Sequence, residues 1–149
     1  MSAWLDDGHC FGCGAHSEAG LKMRFTLRPA GGVESVVTIP AWLQGWRGIA
    51  HGGIISTILD EAMAHALGAE GFLGVTAEIT VRYRRPVPTA VALTVTSQVA
   101  ERRRNLAALE AEVRDDNGDL LASAKARFVV QREIPRGVRF GGFVNGEGA

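Results

Sequence analysis

The feature that most constrains this chain is one helix entered through glycines. Gly45-Trp46-Arg47-Gly48-Ile49-Ala50-His51-Gly52-Gly53 reads as a loop, and the residues after it carry the only convincing helical period in the sequence. Ile54, Ile55, Ile58, Leu59, Ala62, Met63 and Ala66 form a broad apolar stripe, with Gly68 and Gly71 as stop signals. The helix is therefore predicted to run from about residue 53 to 67. A lone helix with such a stripe needs a sheet to cover it, and Ala62, Ala64 and Ala66 permit a close approach. Its first amides have no partner inside the helix and sit at the positive end of the dipole. Such an end can hold an anion or a developing oxyanion. Asp60 follows two turns later, and at 100° per residue Gly53, Ser56 and Asp60 share one row. Glu61 lies on the other flank of the stripe. It stands one turn before His65, so an i,i+4 pair in an exposed or interface position is expected.

The remainder of the chain reads as strands. Leu21, Met23, Phe25 and Leu27 alternate with polar residues, Pro29-Ala30-Gly31-Gly32 is a turn, and a returning strand covers residues 33–39 until Pro40. After Gly74, four more strands are expected over residues 75–83, 90–100, 105–114 and 120–130, the last two joined by the hairpin signal Asp115-Asp116-Asn117-Gly118. One helix and about six strands joined mostly by short turns give an α+β domain, the helix packed on one antiparallel sheet. The division expected is an irregular lead-in at residues 1–20, the domain at 21–133 and a flexible glycine-rich tail at 134–149.

Composition excludes several classes. The 149 residues carry zero formal net charge, which gives no general attraction to nucleic acid or anionic membrane. No apolar run approaches the length of a membrane span, and Met1-Ser2-Ala3-Trp4-Leu5-Asp6-Asp7 lacks the pattern of a signal peptide, so a cytoplasmic location is expected. Cys10-Phe11-Gly12-Cys13 has the spacing of a zinc half-site. No second Cys or His pair follows downstream, so a structural or partly buried pair of thiols is expected and no metal. Trp42 and Trp46 are expected in the core, with a substrate wall as the alternative for Trp46.

Gln44-Gly45-x-x-Gly48-x-x-His51-Gly52-Gly53 followed by Asp60 resembles the hotdog-fold acyl-CoA thioesterases of the PaaI-like, phenylacetate-pathway group. Cys10-Phe11-Gly12-Cys13-Gly14 ahead of Gly20-Leu21, Thr76-Ala77 ahead of Tyr83-x-Arg85-Pro86, and Asp116-x-Gly118-x-Leu120-Leu121-Ala122 are similar to other segments of that family, over residues 10–130. The resemblance implies a hotdog fold in which a long central helix is wrapped by the sheet. It also implies a homodimer, or a dimer of dimers, with the active site between two subunits. It assigns Gly52, with Gly53, as amide donors to the thioester carbonyl and Asp60 as general base or nucleophile. Thr76 would position water or the carboxylate, and Gln44 or His51 would hold the acyl carbonyl or order the loop. No cofactor is implied, because coenzyme A belongs to the substrate.

Arg82, Arg84 and Arg85, and Arg102, Arg103 and Arg104, form two basic clusters. They are read either as charges protecting a strand edge or as a cradle for the phosphates of coenzyme A, with Arg84, Arg85 and Arg104 as the candidates. Nucleic acid is disfavoured because no aromatic platform accompanies them. Trp46, Met63 and Phe72 are candidate pocket-lining residues. Two rivals to hydrolysis are a hydratase or dehydratase using Asp60 and His65, and a non-catalytic acyl-CoA-binding module.

Overall fold

The computed structural model describes residues 6–134. The expected tail therefore lies almost wholly outside the described residues. Six strands and one long helix appear in the order β1 (Thr26–Leu27), β2 (Val33–Thr38), α1 (Gly52–Ala69), β3 (Phe72–Tyr83), β4 (Ala92–Arg103), β5 (Leu106–Arg114) and β6 (Leu120–Glu133), with a 3-10 turn at Ala41–Leu43. They form one sheet in the order β1-β2-β4-β5-β6-β3, antiparallel at every step. The helix lies against one face. This is the α+β hotdog arrangement expected, although β3, β4 and β6 run longer than their sequence signals, β1 is only two residues long, and the helix begins one residue earlier.

Alternation explains which face is covered. Leu93, Val95 and Ser97 on β4, Ala107, Leu109, Ala111 and Val113 on β5, and Ala122, Ala124, Ala126 and Phe128 on β6 are all buried beneath the helix. The side chains between them form a polar outer face, where Glu110 stands opposite Lys125. The helix contributes Ile55, Ile58, Leu59, Ala62, Met63, Ala66 and Leu67 to the same core. Small residues on β5 and β6 let the helix sit low on the sheet, and Met23, Phe25 and Ile39 close the side near β2. Met63 is thus a core residue and lines no open pocket.

β3 follows the helix in sequence but takes the outside position next to β6, so among the described residues one of its edges carries no strand. Its register slips between Thr76 and Glu78, which leaves Ala77 as an extra residue. Before the bulge Thr76 pairs with Phe128 and shares its inward face. After it Ile79, Val81 and Tyr83 face inward, opposite Ala126, Ala124 and Ala122. Tyr83 lies seven positions after Thr76, an odd offset that a regular strand would place on opposite faces.

Two further expectations fail. Trp42 and Trp46 are 63% and 84% exposed. Their loop is tied down through its backbone, Gly45 N–H to Ile49 O at 2.8 Å and Ile49 N–H to Trp46 O at 2.9 Å, and this tight turn points the rings outward. His65 is fully buried, stacked on Phe25 with ring centroids 4.1 Å apart, rather than exposed with Glu61. It falls within the stripe of Ala62 and Ala66. The lead-in is irregular yet laced to its neighbours, with Leu21 N–H to Phe11 O at 2.8 Å and Met23 N–H to Gly12 O at 2.9 Å.

Candidate active site

The loop before α1 is built to present the helix start. Gly48 turns the chain at φ +73°, a conformation that favours glycine, and its N–H donates to Gln44 Oε1 at 3.1 Å. Gln44 thus orders the loop with its side-chain oxygen. Ala50 N–H donates to Val87 O at 2.8 Å, which anchors the loop to the segment after β3. His51 is the N-cap: Gly53 N–H donates to His51 Nδ1 at 2.9 Å. Gly53 is therefore engaged and drops out as an oxyanion donor. Gly52 N–H has no acceptor among the described residues and lies on an exposed surface.

Tyr83 is a member of this site that sequence reasoning quoted only as part of a family pattern. Its hydroxyl donates to Gly52 O at 2.8 Å and lies 2.7 Å from Ser56 Oγ. Because the phenol proton is used on Gly52, the serine supplies the proton of the second bond. The pair fastens the first turn of α1 to the end of β3. The available signal was Tyr83 at the last inward position before Arg84-Arg85-Pro86, but using it required knowledge of the bulge.

Asp60 sits half-buried on α1, and Thr76 Oγ1 donates to its Oδ1 at 2.6 Å. Burial pushes the Asp60 carboxyl above its ordinary value; the Thr76 bond acts against this, and the nearby Glu61 charge adds to the rise. The second oxygen, Oδ2, accepts no hydrogen bond from the described residues. His65 is turned away into the core, 3.3 Å from Glu61 Oε1, so Asp60 and His65 do not form a working acid–base pair.

Asp60 and Gly52 are eight residues apart on one helix, about 12 Å along its axis. No single water spans that. Beside Gly52 lies a cleft of about 260 Å³, lined by Ile49, Ile55, Tyr83, Arg84, Arg85 and Val87 among others. A larger depression of about 640 Å³ lies on the polar outer face of the sheet, among Thr96, Gln98, Glu110 and Lys125, and Asp60 and Gly52 are not among its walls.

The arginines are not gathered into one cradle. Arg84 and Arg85 follow β3 beside the cleft, and Arg85 Nη1 is 3.2 Å from Asp119 Oδ2. Arg104 sits in the β4–β5 turn at φ +53°, next to Leu106, which pairs with Val129. Arg84 N–H bonds to Leu121 O. From Val129 to Leu121 is about 25 Å of strand, so one chain cannot close both groups on one phosphate. Arg102 lies over the Phe72 ring at 4.0 Å and donates to Arg104 O, which fixes that turn. Among the described residues, no helix is long and apolar enough to cross a membrane.

No curated protein sequence matches the chain. A solved thioesterase superfamily protein is 25% identical, with a TM-score of 0.79 over 87% of this chain and 68% of its own. A hypothetical thioesterase from Streptococcus pneumoniae, solved with coenzyme A, is 19% identical, with a TM-score of 0.68 over 70% of this chain and 85% of its own. That pneumococcal protein has also been solved with an aspartate and, separately, a threonine changed to alanine, positions sixteen residues apart. The PaaI protein of the E. coli phenylacetic acid degradation operon is 20% identical, with a TM-score of 0.64 over 68% of this chain and 74% of its own. The thioesterase superfamily model matches residues 47–122, from the loop before α1 into β6. With half the chain matched and the fold shared, this protein belongs to the thioesterase superfamily, as a hotdog-fold member.

Proposed function

We propose that the protein hydrolyses acyl-coenzyme A thioesters to a carboxylic acid and free coenzyme A, at a site completed by a second copy of the chain. The observation that carries this is the carboxylate of Asp60, half-buried and held through Oδ1 by Thr76, on the same helix as the open amide of Gly52. Asp60 and Thr76 are sixteen positions apart, the separation of the two residues altered in the pneumococcal relative. That relative was solved with coenzyme A, which supports the same substrate class here.

Gly52 N–H stabilises the oxyanion that forms when the carbonyl is attacked, a contribution of about 3–4 kcal/mol to the barrier. Asp60 takes a proton from water as the new C–O bond forms. The carbon–sulfur bond then breaks and the proton passes to the departing thiolate. Such general-base help is worth roughly a hundredfold or more. Thr76 aims the carboxylate, His51 fixes the cap by engaging Gly53, and Gln44 holds the loop. Arg84 and Arg85, with Arg104 of the partner subunit, meet the coenzyme A phosphates.

Geometry supports the second copy. The 12 Å along the helix rules out pairing Asp60 with Gly52 of the same chain. Among the described residues β3 has one edge without a strand partner, and it exposes Val75 and Tyr83 at 42% and 52%. Pairing two such edges antiparallel with Thr76 of one chain opposite the partner's Tyr83 would bring Asp60 near the partner's Gly52.

The test mixes two inactive variants, Asp60→Asn and Gly52→Pro, by co-refolding. Each alone should release almost no thiol from acyl-CoA. A mixed dimer keeps one whole site, so random mixing should restore about a quarter of wild-type turnover. Full activity of Asp60→Asn alone, or no recovery in the mixture, sinks the shared-site reading. Tight acyl-CoA binding without thiol release over short, long and aromatic acyl groups sinks hydrolysis itself.

A further inference from the structure

The lead-in folds back onto the middle of α1 and places Cys10, Cys13 and Glu61 together, away from the Gly52 cleft. The two Sγ atoms and a carboxylate oxygen all lie within 4.8 Å of one another, and Cys10 Sγ is 3.5 Å from Glu61 Oε1. Around a tetrahedral Zn²⁺, two thiolates stand about 3.8 Å apart, and a thiolate and a carboxylate oxygen about 3.5 Å. The three atoms therefore need little movement to meet one ion. We infer that Cys10, Cys13 and Glu61 form a metal site for Zn²⁺ or a chemically similar thiolate-binding divalent ion, its fourth position open to water. The half-site spacing of the cysteines is completed by a ligand from the helix, 51 residues away, rather than by a second sequence pair.

Several independent features fit. Gly12, between the cysteines, lies so close to Glu61 that a Cβ there would stand 2.6 Å from its carboxyl carbon. A side chain there would push the Glu61 carboxylate from its present place beside the thiols. Gly14 N–H donates to Cys10 O at 2.8 Å, which tightens the turn that carries both thiols. Behind Glu61, buried His65 Nε2 is 3.3 Å from Oε1, an outer-shell partner of the kind that orients ligating carboxylates. Cys13 is buried and Cys10 exposed, so an ion has a path in from solvent. The donor set of two thiolates and a carboxylate suits Zn²⁺ rather than Mg²⁺ or Ca²⁺. Without metal, burial and the Glu61 charge keep the Cys13 thiol protonated. Hydrogen bonds from His65 and the thiols hold the Glu61 carboxyl below its ordinary value even though burial pushes it up. Binding replaces the two thiol protons by the metal and releases them to solvent. The ion would pin the lead-in to α1 one residue beyond Asp60, and it has no part in hydrolysis.

The test is titration of the full chain, stripped with chelator and kept reduced, with Co²⁺ and then Zn²⁺. One equivalent of Co²⁺ should give a thiolate-to-cobalt charge-transfer band and the intense visible bands of four-coordination, and Zn²⁺ should abolish both. Zn²⁺ should also raise the Tm of the wild type. Glu61→Gln should weaken the competition affinity at least roughly tenfold, and Gly12→Ala should do so with every ligand still present. Cys10→Ser/Cys13→Ser should bind neither ion. Absence of the charge-transfer band, affinity unchanged by Glu61→Gln, or binding that survives loss of both cysteines overturns the site. If the cysteine variants do not fold, alkylation of wild-type Cys10 decides instead. Protection by Zn²⁺ supports the site, and an unchanged rate removes it.

Discussion

Replacing Thr76 by Val should move the acid limb of the rate–pH profile upward. Thr76 donates 2.6 Å to Asp60 Oδ1, and this bond favours the ionised carboxylate. Burial has already raised the carboxyl above its ordinary value, with Glu61 adding to the rise, so the Thr76 bond is the one influence restraining it. A hydrogen bond to a charged group contributes about 1.5–3 kcal/mol. Asp60 is only half-buried, and solvent screening argues for the low end of that range. At 1.36 kcal/mol per unit, ~1.5 kcal/mol corresponds to about one pH unit. A general base works when ionised, so activity falls as pH drops through its pKa. Raising that pKa moves the fall to higher pH. Stability runs the opposite way. Asp60 titrates higher folded than unfolded, so its contribution is fully present below the unfolded value and is lost as pH rises through the folded one. Thiol release followed from mildly acidic to mildly alkaline pH would show the shift, and Thr76→Ser, which keeps the donor, should restore the wild-type limb. A Thr76→Val limb that coincides with wild type, or lies below it, would refute the coupling.

Gly52→Pro should lower kcat by roughly a hundred- to a thousandfold while leaving Tm nearly unchanged. Proline suits the first helical position, and His51 at ψ 136° already has the extended conformation preferred before it. His51→Ala removes the cap on Gly53 and should cost about 1 kcal/mol in denaturant unfolding. Leu59→Ala, at a fully buried position one residue before Asp60, should cost about 2–5 kcal/mol. An unfolding midpoint close to wild type there would show that α1 does not rest on the sheet as described.

The helix was legible because its stripe is continuous, and β4, β5 and β6 because their alternation survives over most of each strand, with register slips only toward the ends, as between Val99 and Glu101. The turn at residues 115–118 also set its own hairpin, with Gly118 at φ +84°. What could not be read was the side a residue faces once alternation slips or the chain leaves regular structure. Ala77 looks like any strand residue, yet it decides that Thr76 and Tyr83 both reach the helix. Trp42 and Trp46 are apolar, and composition puts such rings inside; backbone bonds local to their loop turn them out. Glu61 and His65 read as a surface pair because spacing along a helix says nothing about a lead-in returning from 51 positions earlier. Asp60 and Thr76 were joined through a family pattern, whereas the hydrogen bond between them is a property of the three-dimensional register. The arginine clusters were visible as charge, but only the strand order showed that they stand at opposite ends of β3.

The extra residue in β3 also makes the strand tolerant of a deletion at one point and intolerant of it nearby. Thr76 pairs with Phe128 and Glu78 with Arg127, so deleting Ala77 would close the ladder into a regular one and leave every side chain on its present face. Deleting Thr80 instead would turn Val81 and Tyr83 to the outer face and Arg82 toward α1. Gaps in β3 among family members should therefore fall at the bulge.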